Sequence, residues 1–157
     1  MAQGRQTKTI FVVPTISTSA YSTGNQLGGV QTLTQAAPDD AYGTTLHGLT
    51  IVDKAKVSAA MDILFFNSAP TITSTDRTAF QILDANAFGK YLGSVSVAAT
   101  DYITTADQTY ATVKSIGLPM QPLTGVDLYA IPVIRASATY AALNLEFCYH
   151  FLQDLTH

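Results

Sequence analysis

The chain has 157 residues, of which 47% are hydrophobic and only 12% are Asp, Glu, Lys or Arg, against roughly 25% charged in an ordinary soluble domain. That length supports a core without disulfides or a structural metal, so a stapled miniature fold is excluded. The formal charge of −3 comes from 8 basic and 11 acidic residues; it leaves no cationic excess for phosphate, and nucleic-acid binding is not expected.

The opening Met-Ala-Gln-Gly-Arg-Gln-Thr-Lys is polar where a signal peptide needs its apolar region, and no stretch approaches 18 uninterrupted apolar residues. Neither export by that route nor a membrane span is expected. Residues 1–18 read as an N-terminal arm and first strand, a possible inter-subunit contact, with Ala2 to Lys8 either disordered until a partner orders them or a frayed terminus with no contacts. Thr7 to Thr15 is the first strand candidate, and Pro14 near its end marks an edge or bulge, because proline cannot donate to a ladder. Gly24-Asn25 and Gly28-Gly29 mark tight turns. Val30 to Thr34, Thr44 to Val52 and Met61 to Phe66 are further strands, the last a short apolar run of buried type. Thr75-Asp76 reads as the cap of a short helical turn through Phe80, and Asp84 to Phe88 as a second. Strands resume at Lys90 to Val97, Gln108 to Lys114 and Leu128 to Arg135. In the last strand Leu143, Leu145, Phe147, Tyr149 and Phe151 alternate with Asn144, Glu146, Cys148 and His150, the period of two expected when one face is buried.

Composition supports the same class. Glu146 is the sole glutamate while threonine fills 22 positions, and threonine keeps the outer face of a strand wet without the long charged side chains that fill exposed helix faces. About eight short strands with one or two helical turns predict an all-β, antiparallel two-sheet sandwich, jelly-roll-like, forming a single domain over residues 19–157. An immunoglobulin-type sandwich lacks its marks, since the chain has no tryptophan and a single cysteine, Cys148. Cys148 cannot form an internal disulfide; it fits assembly in a reducing cytoplasm and reads as a small buried hydrophobe.

Chemistry-bearing patterns are absent: there is no nucleophile elbow, P-loop, HExxH helix or CxxC pair. Gly24 to Gly29 lacks the lysine and following helix of a phosphate cradle and reads as a turn. His47, His150 and His157 are spaced too widely for a cupin-like metal site, so no metal or cofactor is expected. Asp39-Asp40 is the only adjacent carboxylate pair, and Asp76, Asp84, Asp101, Asp107 and Asp127 sit where aspartate bonds backbone amides in turns and caps. An enzyme is therefore not expected. Tyr21, Tyr42 and Tyr102 stand in loop-like surroundings and are the candidates for an exposed protein interface, where tyrosine is enriched.

Several stretches match a known pattern together: Ala20-Tyr21 followed by Gly24-Asn25-Gln26-Leu27-Gly28-Gly29, Leu49 to Lys56, Leu64 to Thr71, Thr75 to Phe80, Leu92-Gly93 and Leu128-Tyr129-Ala130. On these the chain resembles the cement or decoration proteins of tailed-bacteriophage heads, in the group with a jelly-roll-like fold. Asn25 departs from the aspartate usual there, which removes a charge from the turn and leaves its backbone role. The resemblance implies a homo-oligomer, dimer or trimer, on the outer surface of the virion capsid. Assembled in the host cytoplasm, it would bridge neighbouring major capsid subunits, with no active site. The competing reading is a carbohydrate- or receptor-binding module of a phage fibre or baseplate, since the same fold supports both.

Overall fold

The computed structural model describes residues 4–39 and 42–155. Among these residues ten strands, one short α-helix and one 3-10 turn follow in order: β1 (Gly4–Val12), β2 (Gln31–Leu33), β3 (Thr44–Asp53), β4 (Met61–Phe66), α1 (Asp84–Ala87), β5 (Tyr91–Val97), the 3-10 turn (Ala99–Asp101), β6 (Tyr102–Thr104), β7 (Thr109–Val113), β8 (Leu118–Met120), β9 (Leu128–Ile134) and β10 (Leu145–Leu155). One sheet runs β1-β10-β3-β7-β6 with β8 also paired to β3, and the other runs β2-β9-β4-β5. Without the three-residue strands β6 and β8, the pairs are nested: β1 with β10, β2 with β9, β3 with β7, β4 with β5, all antiparallel. This is one long folded ribbon whose successive pairs fall alternately in the two sheets, the jelly-roll arrangement. All eight strands expected from the sequence are present. The two additional ones, β6 and β8, carry too few residues for a period to register, and β8 contains Pro119.

Alternation places the core. Leu145, Phe147, Tyr149 and Phe151 of β10 face inward with Leu46, Leu49 and Ile51 of β3, against Met61, Ile63 and Phe65 of β4 and Leu128, Ala130 and Ile134 of β9. Leu143 does not join them: it precedes the strand at φ 61° and is 64% exposed. Tyr149 meets Phe65 of the opposite sheet edge-on, ring centroids 6.0 Å apart, and its hydroxyl donates to Gln31 Oε1 of β2 at 2.5 Å. Strand β9 is apolar throughout because both its faces are covered, the inner by the core and the outer by residues 72–82. Pro132 is tolerated inside it because the carbonyl of Pro132 accepts from Leu27 N, so its missing N–H faces residues beyond the end of β2.

Gly4 to Lys8 of the expected arm form the first half of β1, paired with Leu155 to Phe151 and tied by an Arg5–Asp154 ion pair. Met1 to Gln3 lie outside the described residues. Pro14 follows β1, which is indeed an edge strand. The turn expected at Asp84 is α1, whereas Thr75 to Phe80 is not helical: Thr78 N returns to Thr75 O in a turn, and Asp76 acts elsewhere.

Asp53, wholly buried at the end of β3, accepts hydrogen bonds from the amides of Ala55, Val57 and Ser58 at 2.8–2.9 Å. It thereby satisfies three donors in the connection that carries the chain across to β4. Asp53→Ala is expected to lower unfolding free energy by about 3 kcal/mol or more, because those amides are left unpaired. Thr50→Ala, on the outer face of the same strand, is expected to change it by under about 0.5 kcal/mol. Urea denaturation of both variants checks the contrast.

Candidate interaction surface

The outer faces of the two sheets are unlike. On the four-stranded sheet, Ile72, Phe80 and Ile82 pack over Phe66, Ile131 and Val133 and seal that side with the chain's own residues. Backbone bridges Asn25–Ala79, Gln26–Val133 and Ile72–Ile82 hold the cover in place. Asp76 organises it: its carboxylate accepts from Tyr21 Oη at 2.6 Å, Gly28 N at 2.6 Å and Ser17 N at 2.7 Å. Gly28 adopts φ 71°, a left-handed conformation that suits glycine and turns its amide toward that carboxylate.

Among the described residues no comparable segment packs over the six-stranded sheet. Its outward residues form rows across the strands, read from the pairing registers. One row runs Glu146, Val52, Tyr110, Ile103; the next Phe11, Cys148, Thr50, Thr112. Phe11 is 64% and Ile103 72% exposed at opposite edges of this face, and Val13 is also exposed. Threonine hydroxyls wet the middle of the face without charging it, the use of threonine anticipated from composition.

The sequence-predicted interface tyrosines separate. Tyr21 is 1% exposed and belongs to the core, stacked edge-on against Tyr140 with ring centroids 6.2 Å apart. Burial and the Asp76 carboxylate raise its phenol well above the ordinary range, so it stays a neutral donor. Its loop-like sequence surroundings misled because the loop itself is folded under the covering segment. Tyr102 is half-buried, its hydroxyl donating to Ala59 O at 3.1 Å, and burial with the nearby Asp53 and Asp101 charges raises it likewise. Tyr42 alone is surface-exposed, at 38%. The residues missed, Phe11 and Ile103, carry a sequence signal only once their strand register is known.

Turn aspartates bond nearby amides as expected at Asp39 and Asp101, which accept from Tyr42 N and Ala98 N, whereas Asp127, expected to act locally too, accepts from the distant Gln35 N. Asp40 and His157 lie outside the described residues. Cys148 is buried on the outer side of β10; burial and the Glu146 charge push its thiol up, which keeps it protonated and unreactive. Among the described residues no group of three His, Cys, Asp or Glu is placed to hold a metal ion, and no helix is long and apolar enough to cross a membrane.

The class these strands define is an all-β jelly-roll sandwich. No family model matches the chain, and no curated protein matches it. Among solved structures it is similar to a chain of Desmodium yellow mottle tymovirus, 8% identical, over 100% of this chain and 85% of that one, with a TM-score of 0.33. A likeness that weak carries no argument about function.

Tyr21→Phe removes a donor from the half-buried Asp76 carboxylate and is expected to cost about 1–3 kcal/mol. Tyr42→Phe is expected to be neutral within about 0.5 kcal/mol. Chemical denaturation of the two variants distinguishes the buried tyrosine from the exposed one.

Proposed function

We propose that the chain is a virion structural protein, a cement or decoration protein that oligomerises on the outer surface of a phage head and bridges neighbouring major capsid subunits. The observation that carries this reading is the outer face of the six-stranded sheet, bearing exposed Phe11, Val13 and Ile103 on a chain of low overall charge. Interface cores are depleted in charge and rich in aromatic and apolar groups, and a low-charge surface favours association. The motif resemblance and the jelly-roll topology support the same reading. In this account the protein is not an enzyme; its work is mechanical. A chain bridging several shell subunits opposes their separation because rupture exposes additional buried interface, and binding repeated over a lattice multiplies modest contacts of roughly 1,600 Å² each.

The test is reconstitution. Capsids assembled without this chain are expected to bind it stoichiometrically and to gain heat resistance. The double variant Phe11→Lys/Ile103→Lys, with an unchanged melting temperature, is expected to bind at least about ten-fold more weakly, a loss of ~1.4 kcal/mol or more. Failure of the unaltered chain to associate, read by co-sedimentation, overturns the cement reading. Binding to a glycan array in that case favours the receptor-binding module instead.

A further inference from the structure

A notch of about 370 Å³ opens on the outer face of the six-stranded sheet, lined by His47, Gly48, Thr50, Thr112, Lys114 and His150 among others. Its origin is a fault in strand pairing. The β3–β10 register shifts between His150 and Phe151: His150 lies opposite Gly48 and Phe151 opposite Leu46, so His47 is the extra residue of a β-bulge. On the other side of β3 the pairing with β7 ends at Leu49–Val113, and that with β8 begins at Leu46–Leu118. Residues 114–117 therefore leave the sheet, held by Ile116 N donating to His47 O at 3.0 Å. Gly48 supplies no side chain at this point. The bulge and the break between β7 and β8 leave His47, Lys114 and His150 all lining the notch.

We infer that this notch is a binding site for a carboxylate carried on an apolar stem, such as an acidic side chain of a docking polypeptide. Three cationic or protonatable groups converge on it from β3, β10 and the end of β7, and no Asp or Glu lines it, although the chain as a whole is acidic. Neither Lys114 nor the His47 side chain has a hydrogen-bond or ion-pair partner among the described residues. The groups facing His150 are Thr9 of β1, Oγ1 3.4 Å from Nδ1, Cys148 of its own strand, Sγ 3.5 Å from Nε2, and Gly48 of β3. The carboxylates along β10 lie four residues away on either side: Glu146, and Asp154, which is already paired with Arg5. Thr50 and Thr112 add hydroxyl donors, while threonine methyls and the aliphatic part of Lys114 offer an apolar wall for the stem. The inference stands on the notch's own chemistry and not on the virion reading.

The experiment is an NMR titration of the full free chain in low salt with butyrate, its neutral analogue butyramide, and inorganic phosphate. Butyrate is expected to shift the amides of Gly48 and Ser115 saturably, and butyramide not at all. Lys114→Gln and His47→Gln, both at exposed positions, are expected to weaken binding at least three-fold each while leaving the melting temperature unchanged. Absence of a saturable shift, equal response to butyramide, or indifference to both substitutions overturns the site. Phosphate saturating these amides where butyrate does not overturns the choice of carboxylate. The probes are small and no shell is present, so this site and the shell-binding role fail or stand separately.

Discussion

The fold depends on Tyr149. This residue, wholly buried on β10, touches Phe65 of β4 edge-on, stacks on Phe147 of its own strand and hydrogen-bonds Gln31 of β2, so one side chain joins both sheets. Burial pushes its phenol far up, keeping it a neutral donor where a charge has no solvation. Its neighbours on β10 set the register of everything beside them. With β1 on one edge and β3 on the other, a slip of one residue turns Phe147, Tyr149 and Phe151 to solvent and brings Glu146, Cys148 and His150 into the core. Register in the larger sheet is thus specified by hydrophobic burial, and nested pairing carries it outward to β7.

From that register follows the asymmetry between the two faces. Two sheets packed on one core leave two outer faces, and the long excursion between β4 and β5 covers one of them. Asp76, Gln26 and Ser74 anchor that excursion over the four-stranded sheet: Gln26 receives a bond from Ser74 Oγ at 2.7 Å and donates to Gly28 O at 2.7 Å. The outer face of the six-stranded sheet is threonine-rich, with apolar residues at its edges and a basic notch at the bulge. Reactive groups are few, and Cys148 is held as a protonated thiol.

Eight strands were legible in the sequence because their apolar residues repeat with period two or run continuously over at least several positions. Met61–Phe66 matches its expected bounds, and the others shift by a few residues at their ends. The three-residue strands β6 and β8 were not legible, since pairing with a long neighbour, not their own pattern, makes them strands. Tyr21 illustrates the reverse case. Its serine- and glycine-rich surroundings read as a surface loop, yet Asp76, 55 positions later, brings a carboxylate to its hydroxyl and draws it into the core.

The interaction surface was the least legible part. Composition alone determined the class: few charges, abundant threonine and alternating aromatics dictate an all-β sandwich with a hydrated outer skin. Local pattern determined which residues face inward, because side chains of a strand alternate by geometry. Which outer face is bare, that Phe11 and Ile103 share it, and that His47, Lys114 and His150 meet at one notch, were decided only by tertiary structure. Those placements depend on strand order, on a bulge and on a break between β7 and β8, and each arises from pairing between segments tens of residues apart.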